Sequence, residues 1–233
     1  MREHSYGHTP LNTVVNIHER GTSRGVAVLV HGGCWSNAYD RHHTLPMAEA
    51  LSEAGYDVWI PEYRRVGDAG GGWPGSLEDI VAVATFVTGK TGRRPILIGH
   101  SAGGHLALRA AQTGLEVEGV VGLAPITDLV AYGAQSGSCQ SMVAPFMGDE
   151  AYSPDENYQD ASLTLSDISV PISIVIGAKD PIVGQDQVAS FSTEQLTLVE
   201  GAGHFDVIHP ETEAFTAVLR ALETLRKAGS VTP

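Results

Sequence analysis

The chain has 233 residues, 42% hydrophobic and 18% charged, enough apolar material for one α/β domain with a substantial core. Its 27 acidic residues against 14 basic ones give a net charge of −13, a surface that repels nucleic-acid phosphates and anionic lipid. No apolar run approaches a bilayer span. Residues 1–15 lack the apolar centre of a secretion signal, so the expected location is the cytoplasm, unless a signal lay upstream and was removed.

Along the chain, "TVVNIHE" (13–19) alternates apolar and polar residues and reads as an antiparallel edge strand. Six continuous apolar runs follow, at 26–32, 57–63, 95–101, 118–125, 172–178 and 196–202. Continuous apolar runs suit strands covered on both faces, which predicts a mostly parallel sheet. Between them, Leu77, Ile80, Val81, Ala84 and Val87 recur at helical steps until Gly89. A last helix is expected from Pro210, with Phe215, Val218, Leu219, Leu222 and Leu225 as its apolar stripe and Gly229 at its end. Strand–helix alternation over the whole chain predicts a single doubly wound α/β domain, residues 1–233, with helices on both faces. Residues 127–169 are too long for a simple connection and are expected to form a small lid.

"LIGHSAGGHLAL" (97–108) sets Ser101 on a tight Gly-x-Ser-x-Gly turn between a buried strand and a helix. That arrangement is a nucleophile elbow, in which the serine is exposed at a strained turn. An ordinary serine N-cap is the bland alternative. "LVHGGCW" (29–35) ends an earlier strand in a glycine turn, whose N–H groups at Gly33 and Cys34, with that of Ala102, would bind an oxyanion. "IVIGAKDPIV" then exposes Asp180 and "LVEGAGHFDV" exposes His204, each at a strand end. Catalytic groups gather at such ends, and the order Ser, Asp, His is the one this architecture uses. Ser101 is thus expected to be the nucleophile, His204 its base and Asp180 the orienting acid. Asp186, Asp128 and Asp206 compete for the acid role, His209 for the base, and Cys34 invites a cysteine-nucleophile reading.

These motifs, with "EYRRVGDAGGGWPGSLEDI" (62–80), resemble the α/β-hydrolase superfamily over nearly the whole chain, and more closely the hormone-sensitive-lipase-like esterases and the arylformamidases, or kynurenine formamidases. The resemblance implies an eight-stranded, mostly parallel sheet whose first strand or strands are antiparallel, and the triad and oxyanion roles just named. Many such esterases carry a third glycine where Cys34 stands and Asp where His100 stands; both differences lean toward the arylformamidase side. The N-terminus is also too short for the helical cap those esterases build there.

The expected function is therefore a serine hydrolase of small carboxylic esters, short acyl or aryl, acting through an acyl-enzyme. An arylformamidase acting on a formamide such as N-formylkynurenine is the alternative, and a non-catalytic binding protein on the same fold is a third reading. Trp35 and Trp73 at the pocket mouth and Phe146 in the lid's short apolar helix are the expected substrate-binding residues. Core packing is the competing reading for each Trp. No cofactor is implied. The Gly-rich stretch 66–75 matches neither GxGxxG nor a P-loop. The ten histidines are scattered without HExxH or CxxC, so no metal site is expected, and two cysteines make a disulfide framework improbable. A small molecule is the expected partner, neither nucleic acid nor membrane, and a homodimer stays open.

Overall fold

A computed structural model describes residues 1–229. The apolar runs become strands: β3 (Gly25–Val30), β4 (Tyr56–Pro61), β5 (Ile96–His100), β6 (Gly119–Leu123) and β7 (Ile172–Gly177) are buried at every position. Burial on both faces is what their largely apolar content requires, with Asp57, His100 and Ser173 as the polar exceptions. Two strands precede them, β1 (Arg2–Ser5) and β2 (Thr13–Ile17), and β8 (Leu196–Val199) follows. All eight form one sheet in the order β1-β2-β4-β3-β5-β6-β7-β8. The pairings β1–β2 and β2–β4 are antiparallel and the rest parallel. The expected α/β-hydrolase sheet is therefore present. β2, expected at the edge, is instead the second strand, because β1 lies outside it.

The helices are α1 (Leu45–Glu53), α2 (Gly75–Thr91), α3 (Ala102–Gln112), three short ones at α4 (Leu129–Gly133), α5 (Val143–Met147) and α6 (Glu156–Ala161), and α7 (Glu213–Gly229). α2 runs through Gly89, the expected end of the helix, and is capped by Gly92 with φ +69. That left-handed cap lets the Gly92 N–H reach the Thr88 carbonyl. α7 begins three residues after Pro210, because Pro210 to Thr212 form a turn stitched by the Thr212 hydroxyl to the carbonyls of Asp206 and His209.

The topology makes a crevice. From β3 the chain crosses by α1 to β4 on one side, then by α2 to β5 on the other side of β3. Right-handed crossovers then put α1 and α2 on opposite faces, and the segments leaving the carboxyl ends of β3 and β5 diverge. Gly33 follows β3 and Ser101 follows β5.

Candidate active site

Ser101 has φ +55 and ψ −119, a conformation L-residues rarely adopt, and α3 begins at the next residue. The turn survives because its neighbours have no side chains to collide. A Cβ on Gly99 would stand 2.2 Å from the Gly103 carbonyl oxygen, and one on Gly103 would stand 2.4 Å from those of Val30 and His31. The Ser101 hydroxyl caps nothing in α3, which removes the N-cap alternative. Among the described residues its oxygen has no hydrogen-bond partner, and Ser101 borders a cavity of about 730 Å³.

His204 enters the same cavity from the turn after β8. Its Nδ1 lies 2.7 Å from Asp180 Oδ2, and both side chains are buried. Asp180 follows β7, and its other oxygen accepts the backbone N–H groups of Ile182 and Val183 at 2.8 and 2.9 Å. A carboxylate can only accept, so the imidazole carries its proton on Nδ1 and turns the Nε2 lone pair away from Asp180. None of the competing acids touches His204. Asp128 caps α4 through the Ala131 N–H, Asp186 accepts from Gln135, and Asp206 fastens the His204 turn by accepting the Gly203 N–H at 2.6 Å. His209 borders the cavity but is exposed.

The turn after β3 packs directly on the elbow. A Cβ on Gly32 would lie 2.9 Å from the His100 carbonyl oxygen and 3.2 Å from Ser101 Cβ. Gly33, Cys34 and Trp35 all have positive φ, at +111, +51 and +55. Among the described residues, the N–H groups of Gly33, Cys34 and Ala102 donate to no protein acceptor. Behind the turn, His31 stacks on Tyr63 with ring centres 4.6 Å apart, and the Tyr63 hydroxyl donates to the His31 carbonyl. The His31 Nε2 lies 3.3 Å from Glu62 Oε2. Burial works to raise the Glu62 carboxyl, but His31, the Arg41 N–H and Arg65 outweigh it and hold it below its usual range.

His100, inside the elbow, has a part that sequence reasoning missed. Its Nε2 donates to the His204 carbonyl oxygen at 3.0 Å, tying the elbow to the turn that carries His204. Burial pushes its pKa well below the usual value, so it stays neutral.

The three aromatic residues expected to bind substrate do not border this cavity. Trp35 and Phe146 are wholly buried and stacked at 4.6 Å, and Trp73 lies edge-on to Phe146 at 6.3 Å. They pack around His105, which accepts the Trp35 indole N–H and donates to the Ala161 carbonyl. The reason is direction: after Cys34 the chain is in a left-handed conformation, and the Trp35 side chain turns under residues 127–169 rather than toward Ser101. The apolar lining comes instead from Tyr39, Pro46, Ile182, Phe205 and Ile208. Tyr39 and Phe205 are more than half exposed, and each lies within five residues of a motif, the proximity in sequence that would have found them.

The cysteine expectation is also overturned. Cys34 and Cys139 form a disulfide with Cα atoms 5.1 Å apart, bridging 105 residues of sequence. Cys139 sits in the 127–169 segment, whose fold-back onto the turn after β3 no local pattern announces. The bond also removes Cys34 from consideration as a thiol nucleophile while it is formed.

Among the described residues, one trio could gather a metal ion: His18, Glu19 and Asp57 hold ligand atoms within 4.8 Å of one another. Asp57 is already engaged by Asn16, Trp59 and His18, and the hollow beside it also presents Arg2, Lys90 and Arg93. It is a different hollow from the one at Ser101.

The chain matches the BD-FAE family over residues 14–195. It is 25% identical to the hormone-sensitive lipase of Mus musculus over 214 residues, 87% of this chain, and spans only 24% of that lipase's length. Among solved structures, a protein of Silicibacter sp. TM1040 provisionally called a thioesterase superposes with a TM-score of 0.76 at 21% identity, over 95% of this chain and 84% of that one. Esterase B from Lactobacillus rhamnosis superposes with a TM-score of 0.74, also at 21% identity, over 97% of this chain and 85% of that one. At such identities the structural likeness carries the fold. The family match covers more than half of the chain, including both the β3 turn and the elbow, so the chain belongs to the BD-FAE family and is an α/β-hydrolase.

Proposed function

We propose that the protein is a serine hydrolase of small carboxylic esters. The observation that carries this reading is the Asp180–His204 hydrogen bond of 2.7 Å beside a serine held at φ +55 in the same cavity. His204 Nε2 takes the Ser101 proton as the hydroxyl oxygen attacks the ester carbonyl. The oxyanion is received by the N–H groups of Gly33, Cys34 and Ala102, which the protein leaves without acceptors. His204 then protonates the leaving alcohol, and water, activated by the same histidine, hydrolyses the acyl-enzyme. Among the described residues Ser101 and His204 make no hydrogen bond with each other; in this mechanism the bond forms when substrate binds.

The largely apolar lining of Tyr39, Ile182, Phe205 and Ile208 suits short acyl or aryl groups. The relatives named above are a lipase, an esterase and a protein provisionally called a thioesterase, which favours an ester or thioester bond over the formamide alternative. The disulfide fits an oxidising compartment, against the cytoplasm expected from the N-terminus. Among the described residues no helix is long and apolar enough to cross a membrane.

The test is a hydrolysis panel of p-nitrophenyl esters beside N-formylkynurenine, with fluorophosphonate labelling of wild type and Ser101→Ala. Turnover of short esters and labelling that Ser101→Ala abolishes are expected. Faster turnover of the formamide would replace the substrate class, and labelling that persists in Ser101→Ala would remove the nucleophile.

A further inference from the structure

Cys34 belongs to the proposed oxyanion turn, and Cys139 to the segment that leaves β6 and returns to β7. Both border the cavity at Ser101, together with Ser138. Residues 134–138 run exposed to solvent before Cys139 goes under cover. From Cys139 a chain of bonds continues into the catalytic residues. The next residue, Gln140, donates its side-chain amide to the Ile182 carbonyl at 3.1 Å. Ile182 donates its N–H to Asp180 Oδ1 at 2.8 Å, and Asp180 Oδ2 holds His204 at 2.7 Å. The oxyanion turn and the acid–base pair are thus joined around the cavity wall, and the disulfide is the covalent link.

The turn needs such a link. Cys34 is a non-glycine residue at φ +51, flanked by Trp35 at φ +55. Left alone, an L-residue prefers to leave this region. A relaxed Cys34 would carry its N–H away from the oxyanion position. A glycine there would sit easily; a cysteine bonded to Cys139 reaches the same conformation by constraint.

We propose that the Cys34–Cys139 disulfide is a positioning element for the reaction at Ser101, so that the oxidised form is the active one and reduction by a small dithiol switches activity down. The inference rests on the serine-hydrolase reading above. The step is an ordinary thiol–disulfide exchange. A thiolate of dithiothreitol attacks one sulfur, and the mixed disulfide collapses to the reagent's cyclic disulfide. Two electrons and two protons pass to the protein, leaving Cys34 and Cys139 as thiols. Cys34 is only partly buried and both residues border the open cavity, so a small dithiol has access.

The experiment measures fluorophosphonate labelling rate, kcat and KM on full-length protein in three forms: oxidised, dithiothreitol-reduced with two thiols counted per chain, and Cys139→Ser. Circular dichroism is recorded alongside at a temperature well below unfolding. Reduction should lower the labelling rate and kcat roughly tenfold, less than the 10²–10³ of losing an oxyanion donor outright, with a smaller change in KM. Reoxidation should restore both. Cys139→Ser should start at the lower value and ignore the reductant.

Equal labelling and kcat in the oxidised and reduced forms would overturn the positioning role alone. A loss that follows the circular dichroism signal, or appears only in KM, would also overturn it, since a merely structural bond acts that way. Two thiols that stay free in protein exposed to oxidant would remove the bond itself. If the oxidised protein fails to label at all, the serine reading falls and this one with it.

Discussion

Asp180→Asn changes one atom, and the hydrogen bonds around it determine what that atom does. Oδ1 of Asp180 accepts two partly buried N–H groups, from Ile182 and Val183, while Oδ2 faces His204 Nδ1. An asparagine has one carbonyl for these two sites. Turned toward the backbone, it keeps both N–H bonds. Turned toward His204, it sets its NH₂ against both, and each unsatisfied buried donor costs about 1–3 kcal/mol. Even at the low end the first orientation wins by about 2 kcal/mol, a population ratio of roughly 30.

The amide NH₂ then faces Nδ1, and two donors cannot share that contact. The ring answers by moving its proton to Nε2, which ends its ability to take the Ser101 proton. The expected cost is about 10⁴ in kcat, as in triads where only the tautomer is wrong. The near-equal shape of the two side chains should leave the melting temperature nearly unchanged. Steady-state hydrolysis of a short p-nitrophenyl ester, with a fluorophosphonate labelling rate on the same preparations, measures both halves. An Asp180→Asn enzyme within tenfold of wild type, while Asp186→Asn loses activity, would refute the assignment of the acid and the tautomer reasoning together.

Three further outcomes follow from the packing. His105 is buried, and desolvation pushes its pKa down to about 4 from 6.5, so below pH 6.5 the unfolded chain binds a proton the native state refuses. That group alone should remove about 2 kcal/mol of stability by pH 5, nothing above pH 7, and no more once pH falls below about 4. His105→Gln keeps a donor for Ala161, and its denaturant-unfolding stability should fall less steeply between pH 6.5 and 4; an unchanged slope would contradict this. Reducing the disulfide frees a loop of 105 residues, worth about 4.7 kcal/mol in chain entropy, so the melting temperature should drop by roughly 10–20 °C, and a shift under 2 °C would show that the unfolded chain is not constrained by it. Gly103→Ala would drive a Cβ to 2.4 Å from two backbone oxygens, so it should lose about 1–3 kcal/mol in denaturant unfolding and most labelling at Ser101; wild-type labelling would mean the elbow is looser than its contacts show.

The most legible strands are those with no exposed face. β3 to β7 are buried along their whole length, an environment filled mostly by apolar residues, with Asp57, His100 and Ser173 the exceptions. β1 was invisible because it is an exposed edge of Arg, Glu, His and Ser, ordered by pairing with β2 rather than by burial. β8 ends at Val199, three residues short of the apolar run 196–202, and the glycines beyond it form the turn that presents His204. Gly89 fails to end α2 for a simpler reason. It lies in α2 with open space where its side chain would be, so helix propensity was its only cost and the surrounding apolar stripe overrode it.

The parts of the site that were legible are backbone demands expressed as residue types. Gly99 and Gly103 are required by carbonyl oxygens little more than 2 Å from where a Cβ would go, and such a requirement shows in any sequence. Side-chain direction makes no such mark. Trp35 stands next to Cys34 in the chain, yet one borders the cavity and the other is stacked on Phe146 in the core. That division depends on residues 127–169 folding back over α3, and the same return brings Cys139 to Cys34. The aromatic cluster and the disulfide are therefore two consequences of one docking event. Phe146 against Trp35 supplies the apolar burial, and Cys139 then locks the neighbouring turn. A sequence can require a serine turn within five residues; it records a contact across 105 residues only as two cysteines that nothing local joins.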